Sequence, residues 1–186
     1  SDASIKQVYF TWDERYDISC YSDGTGTFYA NKPGTYTVTA YSEDNQEITA
    51  TATVTVRNIG DLDTTQMVLD EATQVSINNP GTFKVLKFTP TEGGKYSFKA
   101  SNINEGVRLD FYDDEGTYKT NAYLYSGSIF QYELTGGKSC YLKVQFDNEE
   151  STGSFSITPE INIPVTGITL NCPNGTTCNP FEPLII

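Results

Sequence analysis

TFKVLKFTPTEGGKYSFKA, residues 82–100, holds two short runs in which apolar and polar residues alternate, with the turn signal TEGG between them. Alternation at period 2 puts successive side chains on opposite faces of a strand, so FKVLKF and KYSFKA each read as a half-buried strand. The pattern continues outward in both directions. NNPG lies before it, and DDEG, TGGK and DNEESTG follow, with alternating runs such as YLKVQF between them. Regular short strands with this punctuation read as a sandwich of two antiparallel sheets.

The composition agrees. With 13 Tyr, 10 Phe, abundant Thr, Ser and Val and a single Met, the chain is rich in side chains that pack on a pleated surface. No stretch carries a helical period of apolar residues. The formal net charge is −12, from 24 acidic and 12 basic residues. No basic cluster is present to neutralise a phosphate backbone, so nucleic acid and anionic membrane surfaces are excluded as expected partners. No apolar run reaches the ~18 residues of a membrane span, and membrane insertion is not expected. The sequence opens at Ser1 without an initiator Met, the style of a mature or excised fragment.

Residues 1–58 contain IKQVYFTW, GTGTFYA, a turn at NKPG, and then TYTVTAYS and EITATATVTV separated by EDNQ. Val38, Ala40, Ile48, Ala50, Ala52, Val54 and Val56 fall on alternate positions with Thr between them. That is the signature of antiparallel strands with one wet face. KPGTYTVTA followed by ITATATVTV resembles the last two strands of the group 2 bacterial immunoglobulin-like family, and Trp12 resembles that family's central-strand tryptophan. The first two strands of that pattern are absent from the front. Residues 163–186 carry PVTGITL and FEPLII, which resemble those two strands. The surplus at one end therefore matches the deficit at the other. A cut from a longer array, a tail that folds back to complete the front, and strand exchange between copies all remain open.

Residues 59–162 carry the second resemblance. FKVLKFTPTEGGKYSFKA, LDFYDDEG, YELTGGKSCYLKV and GSFSITPEI, in that order, are similar to the bacterial pre-peptidase C-terminal (PPC) domain, a β-sandwich appended to secreted enzymes and surface proteins. The expected fold is therefore all-β, with antiparallel β-sandwiches, an immunoglobulin-like part beside a PPC-like sandwich of jelly-roll type. The resemblances imply an extracellular, secreted or cell-surface location.

Chemistry is sparse. The chain has no histidine, which removes the usual general base at neutral pH and the usual partner of a nucleophilic serine or cysteine. Nucleophile-elbow, zinc-protease and phosphate-loop motifs are missing, so no catalytic residue is expected. Asp110, Asp113, Asp114 and Glu115 in DFYDDEG read first as a solvated turn. Their alternative is a calcium site, calcium being the one cofactor the sequence suggests. Asp147, Asn148, Glu149 and Glu150 read as a second turn. Tyr112, Tyr118, Tyr123, Tyr125, Phe130 and Tyr132 crowd one span. Strand alternation sends half of such a set into a core, and Tyr112, Tyr118 and Tyr123 are the residues burial explains least, hence the candidate ligand platform. Cys172 and Cys178 flank a short turn that a disulfide can close. For Cys20 and Cys140 a free thiol and a bond are equally open. Asn174-Gly175-Thr176 matches a glycosylation acceptor and marks an exposed turn.

The functional expectation is a non-catalytic extracellular module that spaces, presents or adheres. Glycans or host and surface proteins are its expected partners. A carbohydrate-binding module of a polysaccharide-degrading enzyme and an accessory domain of a secreted protease are the alternatives.

Overall fold

The computed structural model of the chain describes residues 8–10, 16–20, 26–42 and 45–162. Trp12, Cys172, Cys178 and the whole of 163–186 lie outside them, as does the side chain of Cys20, so the pairing of the tail and the expected disulfide fall outside the described residues. What is described is all-β apart from one short 3-10 turn.

The sandwich is built from residues 64–161. Its four-stranded sheet runs in the order β12 (Ile129–Leu134), β9 (Gly94–Ser101), β14 (Gly153–Ile161), β7 (Thr73–Ile77). Its five-stranded sheet runs β11 (Tyr118–Leu124), β10 (Val107–Tyr112), β13 (Cys140–Phe146), β8 (Lys84–Phe88), β6 (Thr64–Gln66). Register decides which alternates meet. Phe98 pairs with Phe130 and Pro159, and Leu142 pairs with Leu86 and Phe111, so apolar residues form continuous rows on the inner faces. The rows interlock through aromatic contacts: Phe88 meets Phe98 edge-on at 5.9 Å, Phe146 meets Phe155 at 5.7 Å, and Phe111 lies 4.2 Å from Tyr132. Quadrupole geometry favours such tilted and edge-on pairs over face-to-face stacks. Cys140 sits in this core as a free thiol, and burial pushes it up to about 12, so it stays protonated and unreactive.

Two glycine-bearing turns close one end of the sandwich. A side chain at Gly136 would stand 2.9 Å from the backbone of Glu92, so the TGGK turn can lie against the TEGG turn only with glycine there.

One expectation about the sheets is corrected. β6 runs parallel to β8, Thr64 beside Val85 and Gln66 beside Lys87. It reaches the sheet edge from the 3-10 turn at Ile59–Asp61, not from a hairpin, so antiparallel pairing is not imposed on it.

Upstream lie a three-stranded sheet, β1 (Val8–Phe10), β4 (Gly34–Ser42) and β5 (Thr49–Val56), and the hairpin β2 (Tyr16–Cys20)–β3 (Gly26–Ala30). Their shared cluster is small. Tyr36 and Val38 are buried, with Phe10, Ile18, Phe28, Ala30, Val54 and Val56 packed around them. The apolar alternation of β5 does not translate into burial along its length. Ala50 and Ala52 are exposed, and Ile48 just before the strand is 62% exposed. Alternation fixes which side chains share a face, but a second layer must cover that face before burial follows.

The two parts are joined tightly. Asn58 caps the 3-10 turn by accepting the Gly60 N–H at 2.8 Å, and its amide donates to the Glu115 carbonyl at 3.0 Å. The Tyr118 N–H donates to the Asn31 carbonyl at 2.8 Å. Ile59, Val85 and Tyr141 form a separate buried cluster. This explains why Val85 and Leu86 are adjacent and both buried: Leu86 faces the sandwich core, and Val85 faces the junction.

Candidate functional site

β10 divides its side chains cleanly. Val107, Leu109 and Phe111 enter the core, and Arg108, Asp110 and Tyr112 stand on the outer face of the five-stranded sheet. Pairing extends each outer residue into a row. Arg108 lies between Tyr123 and Gln145, Asp110 between Asn121 and Lys143, and Tyr112 between Tyr118 and Tyr141. Strict register would put Lys119 opposite Tyr112. A register shift at Phe111/Tyr112 brings Tyr118 there instead, the kind of re-aiming that bulges produce. The rings of Tyr112 and Tyr118 then meet edge-on at 5.7 Å, and the Asn121 amide donates to the Tyr118 hydroxyl at 2.8 Å.

The three tyrosines singled out in the sequence thus share one face, but in different states. Tyr123 is 50% exposed, whereas Tyr112 and Tyr118 are half-buried. Burial, and then the charge of Asp110, push the Tyr112 phenol up to about 12. It remains a neutral hydrogen-bond donor across physiological pH. Of the other crowded aromatics, Phe130 is buried and Tyr132 half-buried against the core, while Tyr125 is 58% exposed.

The acidic residues are dispersed by their own cations. Asp110, 4% exposed, accepts from Arg108 Nε at 2.8 Å and lies 3.7 Å from Lys143 Nζ. Asp113 turns the β10–β11 loop, accepting the Thr117 N–H at 2.8 Å and the Glu115 N–H at 3.1 Å, and its second oxygen pairs with Lys119 at 2.6 Å. Partial burial raises Asp113, but the Lys119 bond and the two backbone N–H groups outweigh it, and the carboxyl sits below its usual range. Asp114 pairs with Lys138 at 3.0 Å, and Glu115 is exposed. These four carboxylates do not converge, and among the described residues no group of three His, Cys, Asp or Glu side chains is arranged to hold a metal. Asp147, Glu149 and Glu150 are exposed in a turn where Asn148 Oδ1 accepts the Glu150 N–H.

Sequence reasoning missed the polar members of the outer face: Arg108, Asn121 and Lys143. Arg108 is one of three arginines in the chain, and its position two residues before Asp110, on the same side of a strand, was the available signal. The partners on neighbouring strands had none, because they follow from register.

No family model matches this chain, and no curated protein matches it. Several solved structures align with parts of it at low identity. The pre-peptidase C-terminal domain of a collagenase from Bacillus anthracis aligns at 12% identity and TM-score 0.43, over 52% of this chain and 94% of that one. The Yersinia pseudotuberculosis-derived mitogen aligns at 13% identity and TM-score 0.38, over 55% of this chain and 95% of that one. The secreted serine protease VesC from Vibrio cholerae aligns at 11% identity and TM-score 0.35, over 82% of this chain but 42% of that one. None of these likenesses carries a residue role to this chain.

Proposed function

We propose that the chain is a non-catalytic module of a secreted or cell-surface protein that holds two β-units in one fixed relation and presents the outer sheet face. The junction is the observation behind this reading. Units joined in one chain move relative to each other by default. Here only two residues separate the end of β5 from the buried anchor Ile59, and Asn58, Asn31 and Tyr118 bond across the seam. Nitrogen-15 relaxation on the intact chain tests it. One common tumbling time is expected for 26–58 and 59–162, and two independent times would sink the reading. Gly116→Ala is the matching variant. Gly116 has φ of +77°, and a side chain there would collide with the Asn58 amide, so the substitution is expected to loosen the seam.

A second reading, a carbohydrate-binding module, is favoured by Tyr118, Tyr123, Arg108 and Asn121 standing on one face. Sugars stack their CH groups on aromatic rings while neighbouring amides and charged groups bind the hydroxyls. Titration with a panel of oligosaccharides, with collagen as a protein control, is expected to give saturable binding that Tyr123→Ala abolishes. A blank panel leaves spacing and presentation alone. An accessory place beside a secreted protease is the same module role in another parent chain.

A further inference from the structure

Between the front sheet and the outer face lies a cleft of about 220 Å³. Its walls include Lys32, Arg57, Lys143 and Tyr112, with Pro33 and Phe83 among the apolar lining, and no acidic side chain among the described residues lines it. The chain has twice as many acids as bases, yet the charged side chains among the described lining of this cleft are three cations. Among the described residues, neither Lys32 nor Arg57 has a carboxylate within ion-pair distance, and Arg57 makes only a long 3.4 Å bond to the Asp61 carbonyl. Lys143 lies 3.7 Å from Asp110, whose carboxylate already accepts Arg108 at 2.8 Å, and 4.9 Å from the Phe83 ring centre. The Tyr112 hydroxyl has no hydrogen-bond partner among the described residues and keeps its proton at neutral pH.

We infer that this cleft binds the carboxylate of an acidic sugar residue. A guanidinium and two ammonium groups bind a carboxylate through charge-assisted hydrogen bonds, and the planar fork of Arg57 suits its shape. The walls choose between carriers of that carboxylate. Phe83, Pro33 and the Tyr112 ring offer flat apolar surface that matches the CH face of a pyranose, which an acidic peptide side chain lacks. The volume falls below the roughly 300–1,000 Å³ of sites for drug-sized ligands and suits a single ring. Tyr112 also meets Tyr118 edge-on, so a wall of the cleft touches the ring at one end of the outer-face platform that carries Tyr118 and Tyr123. An oligosaccharide lying across that platform places its next residue in the cleft. The inference rests on the carbohydrate-binding reading and adds the charge class of the sugar.

Calorimetric titration of the intact chain with trigalacturonate, neutral galactotriose and triglutamate tests it. Trigalacturonate is expected to bind about tenfold or more tightly than galactotriose, and triglutamate is expected not to bind. Lys32→Gln with Arg57→Gln, both exposed side chains, is expected to reduce trigalacturonate to the galactotriose level and leave galactotriose unchanged. Equal binding of the two sugars overturns the inference and spares the glycan-binding reading. Binding of triglutamate at the strength of trigalacturonate overturns the sugar assignment. Failure of both sugars overturns the inference together with that reading.

Discussion

In β4 and β5, Thr alternates with Tyr, Val or Ala, yet Tyr36 and Val38 are the buried members, and Ala50 and Ala52 lie open. In β8 the alternation breaks at Val85–Leu86, yet both residues are buried. The sandwich around β8 joins twenty-one buried residues in one cluster. The difference lies in layering. A pleated strand offers two faces whatever its sequence, and each is buried only where another layer lies against it. β8 has the four-stranded sheet on one side and the Ile59 junction on the other. Among the described residues, the outer half of β5 has neither.

The sharpest way to test that contrast is to damage the deeper core. Leu142 is fully buried between both sheets, and Leu142→Ala is expected to lower the stability of the sandwich by about 2–5 kcal/mol, the range for buried leucine deletions. Val54, only half-buried, marks the other region, and Val54→Ala is expected to cost under about 1 kcal/mol. Urea unfolding followed by native-state hydrogen exchange measures both. Equal losses would break the comparison.

The next test concerns the exposed part of the front sheet. The apolar alternates of 163–186 are proposed to lie against it as a second layer, within one chain or by strand exchange between copies. Deletion of 163–186 is then expected to lower the melting midpoint of the front sheet by several degrees, on a scale of roughly 4–8 °C per kcal/mol for a unit of such size. An unchanged midpoint defeats the proposal. A midpoint that rises with protein concentration in the intact chain assigns the pairing to exchange.

A smaller effect is expected at the loop that faces the junction. Asp113 has its carboxyl held below the unfolded value, so its contribution is fully present above about pH 4 and is lost as pH falls through the depressed native value. Asp113→Asn is therefore expected to lower stability near neutrality by about 1 kcal/mol, and the gap to the parent chain should close as the solution is acidified. Urea midpoints at several pH values read the gap, and a constant difference would refute the assignment.

Calcium should have the least influence. Asp110, Asp113 and Asp114 already face Arg108, Lys119 and Lys138, and a native-state ligand must raise stability. Millimolar calcium and a chelator are expected to give the same melting temperature. A shift of several degrees would restore a metal site that these ion pairs conceal.

Strand positions, turns and the all-β class were legible because they are local. Period-2 alternation needs only the pleat, and NNPG, TEGG, DDEG and TGGK need only the backbone freedom of Gly, Asn and Asp. The tyrosines of the outer face were legible as a crowded span, with Tyr112, Tyr118 and Tyr123 singled out as the residues burial explains least. The parity of Tyr118 was not legible, because it depends on a register shift that no local pattern announces. Nor was the fate of the acidic turn. Its carboxylates looked like a ligand set in one dimension, and the fold hands each of three to a different cation. The cleft was invisible for the same reason, since Lys32, Arg57 and Lys143 are far apart in the chain and come to line one space only in the fold.

By itself the sequence determined that this protein is a β-protein with an acidic surface, without histidine chemistry, and with a crowded aromatic span. Composition and short-range periodicity act on the backbone residue by residue, and they suffice for that. The tertiary structure alone decided which strand faces are covered, which of the three candidate tyrosines is most exposed, and which cations line one cleft. Those outcomes depend on register and on one unit packing against another, and both are set by contacts between residues distant in the chain.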